Sequence, residues 1–165
     1  MIGSVVFFKK NKESFISLII SKLTKSEYTH VGMIVAYNEL LKEAVIIESD
    51  RFVNTRLTNL RIDNNIHEIY YIKNLSSEHK YRILDNAYKE LGKKYDYKQV
   101  LSLALSLIFN IKFKNFSNNY NRLICSELID IVLFKSGIKR KNYDNLVNVT
   151  PKELLESYDF EKKGE

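Results

Sequence analysis

A single cysteine, a single proline and no tryptophan occur among the 165 residues. One thiol permits no internal disulfide, and beside three histidines it offers no run of four sulfur and imidazole ligands for a structural zinc site. A reducing compartment suits such a chain. No apolar stretch reaches the roughly 20 residues needed to span a bilayer, and the longest, Val100 to Phe109, reads as a buried or interfacial helix. No basic segment precedes the apolar opening that ends at Phe8, so no signal peptide is expected and the expected location is cytoplasmic or membrane-peripheral. Internal repeats, low-complexity linkers and the interleaved aromatic-basic motifs of nucleic-acid modules are absent too, which removes nucleic acid from the expected partners.

What is present suits a folded domain. Hydrophobic residues make up 45% of the chain and charged residues 28%, enough apolar material for a core and too little charge for wholesale disorder. One domain over residues 1–165 is the expectation. The net charge of +6 is compatible with peripheral contact with an anionic membrane. The lysines, however, are scattered, with short clusters at Lys9-Lys10, Lys93-Lys94 and Lys139-Arg140-Lys141, which favours a solvated surface over a recognition patch.

Strand-like runs fill the first half of the chain and helical periodicity the second. Strands are expected near residues 4–9, over Tyr28 to Tyr37, Ala44 to Glu48, Phe52 toward Ile62, and Ile66 to Ile72, with a short amphipathic helix marked by Phe15, Leu18, Ile19 and Leu23 after the first. Tyr81, Leu84, Ala87, Tyr88 and Leu91 then mark one face of a helix that stops at Gly92. A polar loop from Asn115 to Asn121 leads into a helix that opens at Cys125 and ends near Gly137, and Thr150-Pro151 caps a short closing helix. This order argues for an α+β domain, an antiparallel sheet of about five strands with helices packed against it.

Three residues carry the chemistry. A thiol at a helix N-terminus has a lowered pKa and lies beside free backbone N–H groups, so Cys125 is the candidate nucleophile. His30 opens the strand Thr29-His30-Val31-Gly32-Met33-Ile34, and Glu48 ends the next one on the face of Ile46 and Ala44. A hairpin register that brings Glu48 to His30 would let the carboxylate fix the imidazole while its other nitrogen faces the thiol. Sequence leaves that register open. A metal site through His30, His67, His79 and Cys125 is disfavoured, because their spacings fit no compact ligand motif.

The segments Tyr28-Thr29-His30-Val31-Gly32-Met33-Ile34, Val45-Ile46-Ile47-Glu48-Ser49, Gly92-Lys93-Lys94-Tyr95-Asp96-Tyr97 and Ile124-Cys125-Ser126-Glu127-Leu128, in this order, resemble the permuted papain-like cysteine amidases of the YaeF/YiiX type. Those belong to the NlpC-like superfamily and are related to the lecithin retinol acyltransferases. The resemblance implies a circularly permuted papain-like fold, with Cys125 as nucleophile, His30 as general base and then acid, and Glu48 orienting His30. It also implies substrate contacts at Tyr95 and Tyr28, and no metal or cofactor. Ser4 departs from the family, which often has Asp after the glycine that is Gly3 here.

The implied reaction is attack on an amide, ester or thioester through an acyl-enzyme, with release to water or to another acceptor. Substrates of this class are small molecules, lipids, acylated molecules or cell-wall peptides. A non-catalytic binding protein that keeps the fold is the alternative reading.

Overall fold

In the computed structural model the described residues are 1–10, 21, 26–50, 54–95, 122–141 and 149–164. The expected helix over Phe15 to Leu23, the strand start at Phe52 to Val53, the apolar segment Val100 to Phe109 and the Asn115 to Asn121 loop lie outside them.

Strands β1 (Val5–Lys9), β2 (Tyr28–Asn38), β3 (Glu43–Glu48), β4 (Arg56–Arg61) and β5 (His67–Ile72) come first in the chain. They are followed by α1 (Ser77–Lys89), β6 (Lys94–Tyr95), β7 (Arg122–Leu123), α2 (Cys125–Lys135), α3 (Pro151–Ser157) and β8 (Phe160–Lys162). Six of the strands form one sheet in the order β4-β3-β2-β1-β5-β8, and every neighbouring pair in it is antiparallel. The sheet thus exceeds the expected five strands by β8, three residues that pair with β5 at the edge. β6 and β7 make a separate parallel pair that places Tyr95 beside Leu123, two residues before Cys125.

Alternation along the strands divides the apolar residues between two faces. Val5, Phe7, Val31, Met33 and Ile47 pack with Leu128, Ile129, Val132 and Leu133 of α2, and all of them are buried. On the other face Val6, Ile34, Ala44, Ile46 and Ile69 form a second cluster, with Phe8 and Leu60 packed against it. The first cluster fixes α2 against the sheet, and that helix carries the thiol.

Local rules account for the helix ends. Thr150 Oγ1 accepts the Glu153 N–H at 3.2 Å while the Glu153 carboxylate accepts the Thr150 N–H at 2.8 Å, a reciprocal cap with Pro151 at the first helical position. α1 is capped one residue earlier than Ser77, by Ser76, whose Oγ accepts the His79 N–H at 3.1 Å. Its buried residues are Ile83 and Ala87, whereas Tyr81 is 72% exposed and Tyr88 50%. Of the expected stripe, Ala87 is buried and Leu84 packs against the core, while Tyr81 and Tyr88 turn outward. The inward face is set by Ile83, by Asn86 bonded to Ser136, and by the buried Glu90 at the helix C-cap, whose carboxylate meets Lys135 of α2 at 2.8 Å.

α2 is also anchored by charge. Arg140 grips Asp130 through Nε at 2.9 Å and Nη2 at 2.5 Å, and the Tyr158 hydroxyl donates to the same carboxylate at 2.6 Å. All three side chains lie inside the protein, where a carboxylate needs such partners to stay ionised. No helix among the described residues is long and apolar enough to cross a membrane.

Candidate active site

The pairing of β2 with β3 matches Met33 to Ile47 and Ile34 to Ile46. Continued by one residue beyond Met33 and Ile47, this register sets Gly32 opposite Glu48 and His30 diagonal to it on the same face. The geometry agrees: His30 Nε2 lies 2.8 Å from Glu48 Oε2. Gly32 has little room for a side chain, since a Cβ there would stand 2.9 Å from Ile46 Cδ1.

Cys125 enters from α2. The preceding Ile124 is the N-cap and has no polar side chain, so the first-turn N–H groups keep no side-chain cap apart from the Glu127 carboxylate, 3.5 Å from the Ile124 N–H. The backbone N–H groups of Ser126 and of Val31 in β2 favour the thiolate form of Cys125. Ile34 exchanges its backbone bonds with the segment that opens β1, so alternation turns the Val31 N–H away from β1 and toward β3. The recorded β2–β3 pairing stops at Met33 and Ile47, and beyond it the Val31 N–H acts on the sulfur. The sulfur and the His30 ring are near enough to act on each other's protonation.

With Nε2 held by Glu48, Nδ1 is the ring nitrogen left for Cys125. Phe8 of β1 backs the imidazole, its ring centroid 5.0 Å away. The charges reinforce one another. Burial works against an imidazolium at His30, yet the hydrogen bonds and charges of Cys125 and Glu48 outweigh it and hold the pKa up to about 10. Burial pushes the Cys125 thiol up, but His30 and the two backbone N–H groups bring it below its ordinary value. Burial likewise disfavours the Glu48 carboxylate, which His30, Thr58 and Arg56 nevertheless hold down at about 2. All three shifts favour the charged form of each group.

Two partners of this cluster escape a reading of the sequence. Thr58 Oγ1 donates to Glu48 Oε1 at 2.7 Å, and Arg56 reaches the same oxygen through Nε at 3.2 Å and Nη2 at 3.1 Å. The strand Arg56–Arg61 alternates in exposure, and its antiparallel register with β3 sets Arg56 against Glu48. That register, invisible in sequence, was the signal needed.

Tyr28 lies largely inside the protein. Its ring is only 6% exposed and packs edge-on against Phe7 at 5.1 Å, while its hydroxyl donates to Glu68 at 2.5 Å and lies 2.9 Å from that of Tyr70. A β-bulge between His30 and Tyr28 in the β1–β2 pairing turns Tyr28 toward the helix-covered core, so it offers little surface to a substrate. Tyr95 is placed by its backbone next to the strand that feeds Cys125. His67 is separated from His30 by the Phe8 ring, which it meets at 4.8 Å, and His79 lies in the first turn of α1, 3.1 Å from the Ser76 hydroxyl through Nδ1. Among the described residues no group of three or more His, Cys, Asp or Glu side chains could hold a metal ion.

Residues 2–157 match the family described as permuted papain-like amidase enzyme, YaeF/YiiX, C92 family. No curated protein matches the chain. Among solved structures, the crystal structure of metalloprotein yiiX from Escherichia coli O157:H7 aligns with a TM-score of 0.67, covering 98% of this chain and 95% of that one at 19% identity. At that identity the likeness speaks for the fold alone.

Proposed function

The chain belongs to the permuted papain-like amidase family of the YaeF/YiiX type, and from that premise we propose that it is a cysteine-dependent hydrolase or acyltransferase with Cys125 as nucleophile, His30 as general base and acid, and Glu48 as the residue that orients His30. The observation that carries this reading is the bridging imidazole, with Nε2 on Glu48 and the other nitrogen left to the sulfur.

The thiolate attacks the carbonyl carbon of an amide, ester or thioester, and the carbonyl electrons move to oxygen. Backbone N–H groups at the start of α2 steady the oxyanion. Collapse of this intermediate breaks the bond to the leaving group, which takes the His30 proton as it departs and leaves a thioester on Cys125. Neutral His30 then removes a proton from water, or from an amine or alcohol acceptor, as that nucleophile attacks the thioester and expels the thiolate. Tyr95, carried on the strand beside β7, is the proposed substrate contact. Substrates of the fitting class are lipids, acylated small molecules and peptide-like amides.

The test is the pH dependence of Cys125 alkylation by iodoacetamide in the wild-type and His30→Ala proteins. An apparent thiol pKa well below the free value of about 8.5, lost without His30, supports the reading. A thiol that titrates normally and ignores His30 sinks it and leaves the fold as a binding scaffold. Acyl substrates offered with and without amine or alcohol acceptors then separate hydrolysis from transfer.

A further inference from the structure

The mechanism uses one oxygen of Glu48, Oε2, on His30. The other, Oε1, is held by three donors from β4: Thr58 Oγ1 at 2.7 Å, Arg56 Nη2 at 3.1 Å and Arg56 Nε at 3.2 Å. Register explains why both residues converge there, because Arg56 pairs across from Glu48 and Thr58 across from Ile46, two positions along the same face. Arg56 Nη2 also reaches Asp50 Oδ2 at 3.2 Å, so one guanidinium ties together two carboxylates. Glu48 itself is buried, its side chain only 7% exposed.

We propose that Arg56 and Thr58 are positioning residues of the active site, holding one Glu48 oxygen so that the other meets His30 and dividing the carboxylate's charge between the imidazole and β4. The inference rests on the reading of Cys125 and His30 as a thiolate–imidazolium pair.

A general acid must release its proton as well as hold it. A buried carboxylate committed wholly to the imidazolium would grip that proton too firmly for transfer to a leaving group. Donors on the opposite oxygen draw charge away from the imidazole, and the cation of Arg56, on the far side of Glu48, opposes a second positive charge on the ring. Among the described residues, the groups that face His30 are Glu48 from β3, Cys125 from α2 and Phe8 from β1. Phe8 separates it from His67 of β5, while Asp50 and Arg56 lie beyond Glu48. The sign that follows is unusual. Removing a partner of the site should make His30 hold its proton to higher pH, whereas a merely loosened site would let it go earlier.

Ring-nitrogen NMR titration of histidine-labelled full-length protein reads this directly, with the His30 signal assigned by its loss in His30→Gln. In wild type His30 should stay protonated well above the ordinary histidine value. In Arg56→Gln and Thr58→Val, each checked for native circular dichroism, its midpoint should rise by about half a unit, while Arg56→Lys, which keeps the cation, should stay near wild type. A raised wild-type midpoint that is unmoved or lowered in folded Arg56→Gln overturns this inference and leaves the triad standing. An ordinary wild-type midpoint overturns the triad and this inference with it.

Discussion

His30 Nε2 stands 2.8 Å from Glu48 Oε2, across the antiparallel pair of β2 and β3. In Glu48→Gln an amide of the same shape occupies that position without a charge, so the ring keeps a neighbour but loses what stabilises its proton. The His30 midpoint should fall from about 10 toward the ordinary value of 6.5. Turnover of an acyl substrate should drop by roughly 10- to 100-fold in kcat, with KM little changed, because the lost interaction serves the proton transfers. Steady-state kinetics across pH would check both, and an unchanged kcat would remove Glu48 from the mechanism.

Acid should destabilise the fold through two carboxylates. Glu48 is held at about 2 against burial by His30, Thr58 and Arg56, and Glu68 at about 2 by the hydroxyl of Tyr28 and the ammonium groups of Lys9 and Lys162. Both values lie below the ordinary 4.5, so the folded state binds fewer protons than the unfolded one through the intervening range. Their stabilisation is therefore complete above about pH 5 and is lost as pH falls toward 2. Urea midpoints measured between pH 7 and pH 2 should decline over that window, and Glu48→Gln should decline less steeply. A parallel decline in wild type and variant would show that the Glu48 carboxylate contributes nothing to acid sensitivity.

Asp130 anchors the helix that carries Cys125, with Arg140 and the Tyr158 hydroxyl on its carboxylate. Asp130→Ala removes the carboxylate that the largely buried Arg140 guanidinium grips, which should cost about 3–5 kcal/mol. Tyr158→Phe removes one neutral donor and should cost roughly 1–2 kcal/mol. Equilibrium urea unfolding separates the two, and equal losses would contradict this division between charge and hydroxyl.

How much of this was legible in the sequence depended on distance along the chain. The α+β order, the hairpin of His30 and Glu48, the helix opening at Cys125 and the Thr150-Pro151 cap are local patterns, and all are present in the structure. What needed register was hidden. Arg56 and Thr58 meet Glu48 only because β4 pairs antiparallel with β3 in one phase. The face of α1 was legible only in part. Tyr81, Leu84, Ala87, Tyr88 and Leu91 repeat at helical spacing, but packing against α2, including the Glu90–Lys135 ion pair, turns the helix so that Ile83 and Ala87 are buried while Tyr81 and Tyr88 are exposed. The burial of Tyr28 was hidden too, because it depends on the bulge beside His30 that turns the residue into the core.

Gly32 is the position where fold and chemistry constrain one residue at once. It lies between His30 and Ile34 on β2, and a Cβ there would fall 2.9 Å from Ile46 Cδ1 and 3.4 Å from the Ile47 carbonyl oxygen. The first contact is with the end of a side chain, which an alanine can displace by rotating Ile46. The two γ-methyls of valine cannot all be accommodated that way, because Ile46 is itself fully packed. Gly32→Val should therefore cost about 1–3 kcal/mol and force β3 away from β2. Since Glu48 ends β3, the His30 contact should lengthen with it, so the alkylation pKa of Cys125 should rise toward the free-thiol value in Gly32→Val and stay near wild type in Gly32→Ala. A folded Gly32→Val protein with an unaltered Cys125 profile would mean that the thiol takes its reactivity from His30 and the α2 N-terminus without needing the hairpin spacing.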